Sequence, residues 1–262
     1  MGVLERILQA KREEIAALKA VELPEPPPLR RFSLERKTGD PLWLIAEIKL
    51  RSPSAGALST RLSVTERAHS YEKAGANMLS VLCDRSFFDG SYEHLAQAKN
   101  GSNLPVLCKE FVLDKAQIRL ARAWGADAIL IIVRCLTPQH VSSLAEDARA
   151  QGLEPLLEVT NEEEARVALD AGTRIIGVNA RDLDTLEIDL ERATRVLKWL
   201  EGRSVRVHLS GLGSPADVAR VAATGVDAAL VGEALMREDD PGPLLQKMAV
   251  MARTTPRAVL FP

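Results

Sequence analysis

Apolar positions along the chain fall into two regimes. In the first twenty residues Leu4, Ile7, Leu8, Ile15 and Leu18 recur at helical spacing among charged neighbours, which predicts an amphipathic helix over residues 1–20. Pro24, Pro26, Pro27 and Pro28 then predict a stiff, extended linker, and a polar stretch over 30–40 follows. This leader is either a cap on the main domain or a partner-binding arm, and its apolar stripe needs burial somewhere. From Pro41 onward short, β-branched apolar runs alternate with longer amphipathic stretches. The runs at 42–48, 78–83, 105–108, 128–133, 155–159, 175–178, 205–209 and 228–231 predict strands. Helical patterns fill the gaps, at 64–74, 115–124, 138–151, 162–171, 190–200 and 215–223. Gly75, Gly125, Gly152, Gly172 and Gly225 stand where left-handed C-caps would end helices. A recurrent step, Gly125-Ala126-Asp127 and Gly225-Val226-Asp227 among its forms, leads from helix into strand.

Runs this continuously apolar belong to strands buried on both faces, hence to a parallel sheet covered by helices. The expected fold is α/β, a (β/α)8 TIM barrel over 41–262 with an N-terminal helical extension over 1–40 packed on it. An open doubly wound sheet is the alternative, but it would normally carry a glycine-rich turn after its first strand. Ile48-Lys49-Leu50-Arg51-Ser52-Pro53 is nothing like one.

Composition narrows the function. Lys plus Arg number 34 against 36 Asp plus Glu, a net charge of −2, without the basic excess of a nucleic-acid-binding domain. The longest strong apolar run, 128–133, is far short of a bilayer span, so no membrane partner is expected. Charged residues (Glu5, Arg6, Lys11, Arg12, Glu13, Glu14) lie where a secretory leader would be apolar, so a cytoplasmic location is expected. Cys83, Cys108 and Cys135 are separated in sequence, away from any CxxC or ligand-spaced His, and read as buried apolar residues with no metal site.

Candidate chemistry sits at the C-terminal strand ends, where barrels place their active sites. Strand one closes with Glu47 and Lys49 on one face, strand three with Lys109-Glu110-Phe111, strand five with Glu158, and strand six with Asn179. Two lysines, two carboxylates and an amide converging on one mouth shift each other's pKa values, the arrangement acid–base chemistry uses. Gly211 and Gly213 after strand seven, and a short helix starting at Gly232-Glu233-Ala234 after strand eight, suit a phosphate. A Ser-Pro-Ser-Ala-Gly turn at 52–56 adds donors after strand one.

Several of these segments together resemble one family. They are Ile45-Ala46-Glu47-Ile48-Lys49 with Ser52-Pro53-Ser54, Phe88-Asp89-Gly90-Ser91, Cys108-Lys109-Glu110-Phe111 and Leu157-Glu158-Val159-Thr160-Asn161. With Asn179-Ala180-Arg181-Asp182-Leu183 and Leu230-Val231-Gly232-Glu233-Ala234-Leu235-Met236-Arg237 they resemble the motifs of indole-3-glycerol phosphate synthase, each after the strand it should follow. The resemblance covers nearly the whole chain. It implies a tryptophan-pathway carboxy-lyase that converts 1-(2-carboxyphenylamino)-1-deoxyribulose 5-phosphate into indole-3-glycerol phosphate, CO2 and water. It also implies a small phosphorylated substrate, no cofactor, and a monomer or weak oligomer.

The resemblance implies roles at matching positions. Lys109 would protonate the ketone oxygen during ring closure, provided that its pKa is held within reach of neutral. Lys49 would hold the substrate carboxylate or act as the acid of dehydration, with Glu47 orienting it. Glu158 would be the general base or stabilise the iminium-like intermediate, and Asn179 would bond a substrate hydroxyl. Ser52, Ser210, Gly211, Gly232 and Glu233 would surround the phosphate. Phe88, Phe111 and Leu130 would pack the aromatic ring, and Arg181 would fix its loop by pairing with a carboxylate. Arg134 has no assigned role. One departure stands out: the family pattern carries Glu-Ser-Gly at the end of strand seven, where this chain has Leu209-Ser210-Gly211. A drier pocket there should lower the pKa of a neighbouring lysine. A binding paralogue of low activity is therefore the alternative to an active synthase.

Overall fold

A computed structural model describes residues 2–18, 22–37, 39–53 and 55–255. The outer ends of the predicted leader helix (Met1, Ala20) and Ser54 of the predicted turn lie outside them. Strands β1 (Trp43–Ile48), β2 (Met78–Leu82), β3 (Val106–Lys109), β4 (Ala128–Ile132), β5 (Glu154–Val159), β6 (Ile175–Val178), β7 (Val205–His208) and β8 (Ala228–Val231) follow one another round a closed barrel. All pairings are parallel, and β1 closes the ring between β8 and β2. The open-sheet alternative is thereby excluded.

Side-chain alternation sorts each strand between two cores. In β4, Ala128, Leu130 and Ile132 point into the barrel with Leu107, Leu156, Val207 and Leu230. Ile129 and Ile131 point out, into the larger layer between barrel and helices. That layer is covered by α2 (Val64–Ala74), α4 (Glu93–Gly101), α5 (Lys115–Ala123), α6 (Pro138–Ala150), α7 (Glu162–Asp170), α8 (Leu190–Trp199), α9 (Pro215–Ala223) and α11 (Gly242–Thr254). The patterning did not anticipate α4, α11, the single turn α3 (Arg85–Phe88) or a small antiparallel hairpin pairing Arg51–Ser52 with Gly56–Ala57. The five expected C-cap glycines all have positive φ, between 68° and 101°. Among the described residues no helix is long and apolar enough to cross a membrane.

The leader helix α1 (Val3–Leu18) places Leu4 and Ile7 in the same cluster as the barrel-interior residues Leu130 and Leu209. The chain then runs to the opposite end of the barrel. There the Arg30 amide donates to Asp127 Oδ1 (2.6 Å) and the Arg36 amide to Asp227 Oδ1 (3.0 Å). The second oxygen of each aspartate accepts from the start of the preceding strand, Val106 N–H (2.9 Å) and Arg206 N–H (2.8 Å). The recurrent Gly-x-Asp step thus has a structural use: its carboxylate stitches the extension to the barrel floor.

One cysteine differs from the sequence reading: Cys135 is only partly buried, at the end of a 3-10 turn, whereas Cys83 and Cys108 are buried as expected, with their sulfurs 3.6 Å apart. His208, on the outer face of β7, is buried, and its Nδ1 has no hydrogen-bond partner among the described residues. Burial pulls its pKa down to about 4. The folded state therefore binds fewer protons than the unfolded one between pH 6.5 and 4, so this group's contribution is full above that window and lost as pH falls through it. His208→Leu should remove up to about 1.4 kcal/mol of stability loss per pH unit there. Denaturant unfolding of both proteins at pH 7 and pH 4 checks this; parallel losses would disprove it.

Candidate active site

At the C-terminal ends of the strands the barrel opens into a cavity of about 490 Å³. Lys109, Glu158, Lys49, Glu47, Asn179, Ser52, Ser210, Gly211, Gly232, Glu233, Phe88, Phe111, Leu130 and Arg181 all line it. Residues from all eight strands or their following loops meet there because the closed register leaves every strand end on one rim. Leu209 lines it as well. Leu4 and Ile7 of α1, and Leu186 and Ile188 after β6, add apolar side chains to its lining. The leader's apolar stripe was the sequence signal for Leu4 and Ile7, whereas 186–188 carried none.

Two ion pairs form the polar floor. Lys49 Nζ lies 2.7 Å from Glu47 Oε1, and Lys109 Nζ 3.3 Å from Glu158 Oε2. Glu158 is almost wholly buried and accepts a second bond at Oε1 from Asn179 Nδ2 (2.8 Å). Asn179 Oδ1 in turn accepts from Ser210 Oγ (2.7 Å) and the Arg181 amide (3.0 Å). The Asn179 side chain is thus largely committed to holding Glu158 and Ser210, more than the role foreseen at a substrate hydroxyl required. Opposite Glu47 stands Gly232, where a Cβ would fall 2.4 Å from Glu47 Oε1; only glycine leaves that carboxylate in place.

Electrostatics correct one expectation. Burial, the largest single influence on Lys109, lowers its pKa, but Glu158 and Glu47 together outweigh it and hold the ammonium above the ordinary lysine value. Leu209 dries its part of the pocket without pulling Lys109 toward neutral. Glu233 is held below the usual carboxylate value, mainly by its bond to Arg237 (2.8 Å).

Loop geometry supports the rest. Arg181 lies 3.9 Å from Glu233, a loose pair, while its Nη1 donates to Leu186 O (3.0 Å). Arg134, unassigned from sequence, pairs with Asp182 (3.2 Å) and Glu164 (3.7 Å) and braces the loop after β6. The Asp182 carboxylate accepts the amides of Asp184 and Thr185, which helps bring its pKa down to about 2. At the other end Gly211 has φ +87°, and α10 (Glu233–Arg237) begins at the rim with first-turn amides that have no intrahelical acceptor.

A closed parallel barrel with two lysine–carboxylate pairs and a helix start on its C-terminal rim defines a (β/α)8-barrel enzyme. Solved barrels agree on the fold. The α subunit of tryptophan synthase from Legionella pneumophila superposes with a TM-score of 0.60 at 17% identity, covering 80% of this chain and 92% of that one. For 3-hexulose-6-phosphate synthase from Salmonella typhimurium the TM-score is 0.66 at 14% identity, covering 80% and 98%. The family model for indole-3-glycerol phosphate synthase matches residues 4–248. Indole-3-glycerol phosphate synthase of an Exiguobacterium species is 39% identical over 95% of this chain and 96% of its own length. That of Shouchella clausii is 41% identical over 91% and 94%. The chain belongs to the indole-3-glycerol phosphate synthase family.

Proposed function

We propose that the chain converts 1-(2-carboxyphenylamino)-1-deoxyribulose 5-phosphate into indole-3-glycerol phosphate. The observation that carries this reading is that the Lys109–Glu158 and Lys49–Glu47 pairs line one cavity together with apolar side chains and the Gly211/α10 rim. The aryl carbon bearing the carboxylate attacks the ketone carbon, and Lys109, protonated before the step, gives its proton to the ketone oxygen and is left as the neutral amine. The bond to CO2 then breaks and its electrons return to the ring system, restoring aromaticity. Loss of the new hydroxyl as water and of a proton completes the indole. Glu158, fixed by Asn179, stabilises the cationic nitrogen and takes the proton. Lys49 holds the carboxylate or donates to the leaving hydroxyl, with Glu47 orienting it. Phe88, Phe111 and Leu130 pack the aryl ring, and Ser52, Ser210, Gly211, Gly232 and Glu233 surround the phosphate. The test is formation of indole-3-glycerol phosphate by the purified protein from that substrate, followed by indole absorbance and fluorescence; no product would refute the reading.

Leu209 favours a second reading, a paralogue that binds a phosphorylated ligand with little turnover, and the same assay separates the two. Division of the chain into an extension over 1–40 and a catalytic barrel over 41–262, a monomer or weak oligomer, and a cytoplasmic location complete the proposal.

The phosphate end makes its own prediction. Inorganic phosphate should raise the Tm, by about 2.7 kcal/mol of stabilisation at a hundredfold excess over Kd. Ala234→Asp should abolish the shift. A carboxylate suits the first turn of a helix, so folding is preserved, but it repels the anion. A shift that survives in this variant, measured by calorimetry, would move the site elsewhere.

A further inference from the structure

Beside the catalytic pairs lies a second buried ionic cluster that the proposed chemistry does not use. Lys11 of α1, 2% exposed, reaches Glu14 Oε2 (2.7 Å), Asp84 Oδ2 (2.9 Å) and Glu110 Oε1 and Oε2 (3.1 and 3.2 Å). Each carboxylate also holds a second group. Asp84 Oδ1 accepts the Phe87 amide (2.7 Å) and N-caps α3, which carries Phe88. Glu110 Oε1 accepts the Phe111 amide (2.7 Å). Glu14 Oε1 accepts from Ser86 Oγ (3.0 Å) in the same short helix as Phe88. Phe88 and Phe111 face each other at 6.1 Å between ring centroids on the cavity wall.

We propose that Lys11 is a positioning residue: from the leader helix it ties together the loops after β2 and β3, and so fixes the paired rings Phe88 and Phe111 against which the aryl ring of the substrate packs. The proposal deepens the synthase reading by giving its aromatic wall a cause. A single ammonium can do this because burial makes leaving it unpaired costly, so all the carboxylates are drawn to one point. The cluster carries more negative than positive charge, and burial pushes Glu110 up to about 7 against the pull of Lys11. Asp84, beside it, pushes Glu110 up as well, and burial above all, with Glu110 adding to it, holds the Cys83 thiol and the Tyr92 hydroxyl above their ordinary values.

Anthranilate and inorganic phosphate, probes for the two ends of the cavity, test the proposal in the full-length chain by titration calorimetry. Lys11→Met should weaken anthranilate binding by about tenfold, the scale expected when a wall shifts by a fraction of an ångström. It should leave phosphate binding within about twofold, and Lys11→Arg, which keeps the charge, should recover most of the loss. If Lys11→Met does not fold, the triple variant Lys11→Met, Asp84→Asn, Glu110→Gln leaves no buried charge unpaired, because Glu14, the one carboxylate of the cluster that remains, is partly exposed to water. It keeps both amide acceptors, lacks only the tie, and should show the same selective loss. Unchanged anthranilate binding in a folded variant, or equal loss of both probes, would overturn the proposal. A wild-type chain that binds no anthranilate would overturn it too. A wild-type chain that binds anthranilate but forms no indole product would refute the synthase reading and leave the Lys11 assignment standing.

Discussion

Lys109→Ala should lower kcat by about 100- to 10,000-fold, the usual range for removing a general acid, and change KM far less. Lys109 sits 3.3 Å from a buried carboxylate, and its pKa lies above the ordinary lysine value. The acid is therefore protonated at neutral pH. What the variant loses is proton donation as the ketone oxygen gains charge, an interaction made in the transition state and not in the bound substrate. Removing the ammonium also leaves Glu158 without its cation, so Glu158→Gln should come close in severity. Steady-state kinetics with the authentic substrate decide the matter. An unchanged kcat with a raised KM would make Lys109 a binding group. The raised pKa adds a second check: the wild-type rate should show no alkaline limb from Lys109 below about pH 10. A limb near neutral would place the acid on another residue.

The Leu209→Glu exchange should raise kcat/KM for indole-3-glycerol phosphate formation by about tenfold to a hundredfold. Leu209 is buried in the apolar layer at the top of the barrel with Leu130, Leu156, Val207 and Leu230. Its side chain fills the space over Gly177, where a Cβ would lie 2.4 Å from Leu209 Cδ1, and Gly177 is the register partner of Glu158. A carboxylate entering there stands close to the catalytic pairs, where positive charge grows on the substrate nitrogen during ring closure. One charge-assisted contact of about 1.5 to 3 kcal/mol gives the stated gain. The same burial makes the variant less stable, because a desolvated carboxylate replaces a packed Leu. Kinetics and denaturant unfolding of the two proteins measure both effects. A folded variant with no gain would show that the site is built around Leu209, and the binding-paralogue reading would then take precedence.

The barrel was legible because its signals are local. Continuous apolar runs mark strands covered on both sides, glycines mark helix ends, and strand alternation alone put Glu47 with Lys49 on one face and Val207 with Leu209 on another. The candidate site was legible for a related reason. A parallel barrel brings all C-terminal strand ends to one rim, so a list of what ends each strand is already a list of neighbours. Short or weakly patterned elements were not legible: α3 is a single turn, and the hairpin at Arg51–Ser52 and Gly56–Ala57 is too short for a period to show. Nor did strand position reveal the pKa of Lys109, which depends on how close Glu158 and Glu47 come.

Lys11 draws the line between the two kinds of information. Its place on the leader, four residues from Ile7 and four from Ile15, puts it on the helix's apolar stripe by sequence alone. Local pattern determined that this face would be buried, together with the order of strands and helices and the inward set of side chains. Whether a lysine could remain charged there was decided by Asp84 and Glu110, the latter 99 residues further along the chain. Only closure of the barrel brings those carboxylates to the helix, and desolvating an ammonium is tolerable only when such partners are already in place. Periodicity is a property of neighbours along the chain and can be read there. Electrostatic compensation at a buried site depends on distances in space, which the tertiary structure alone supplies.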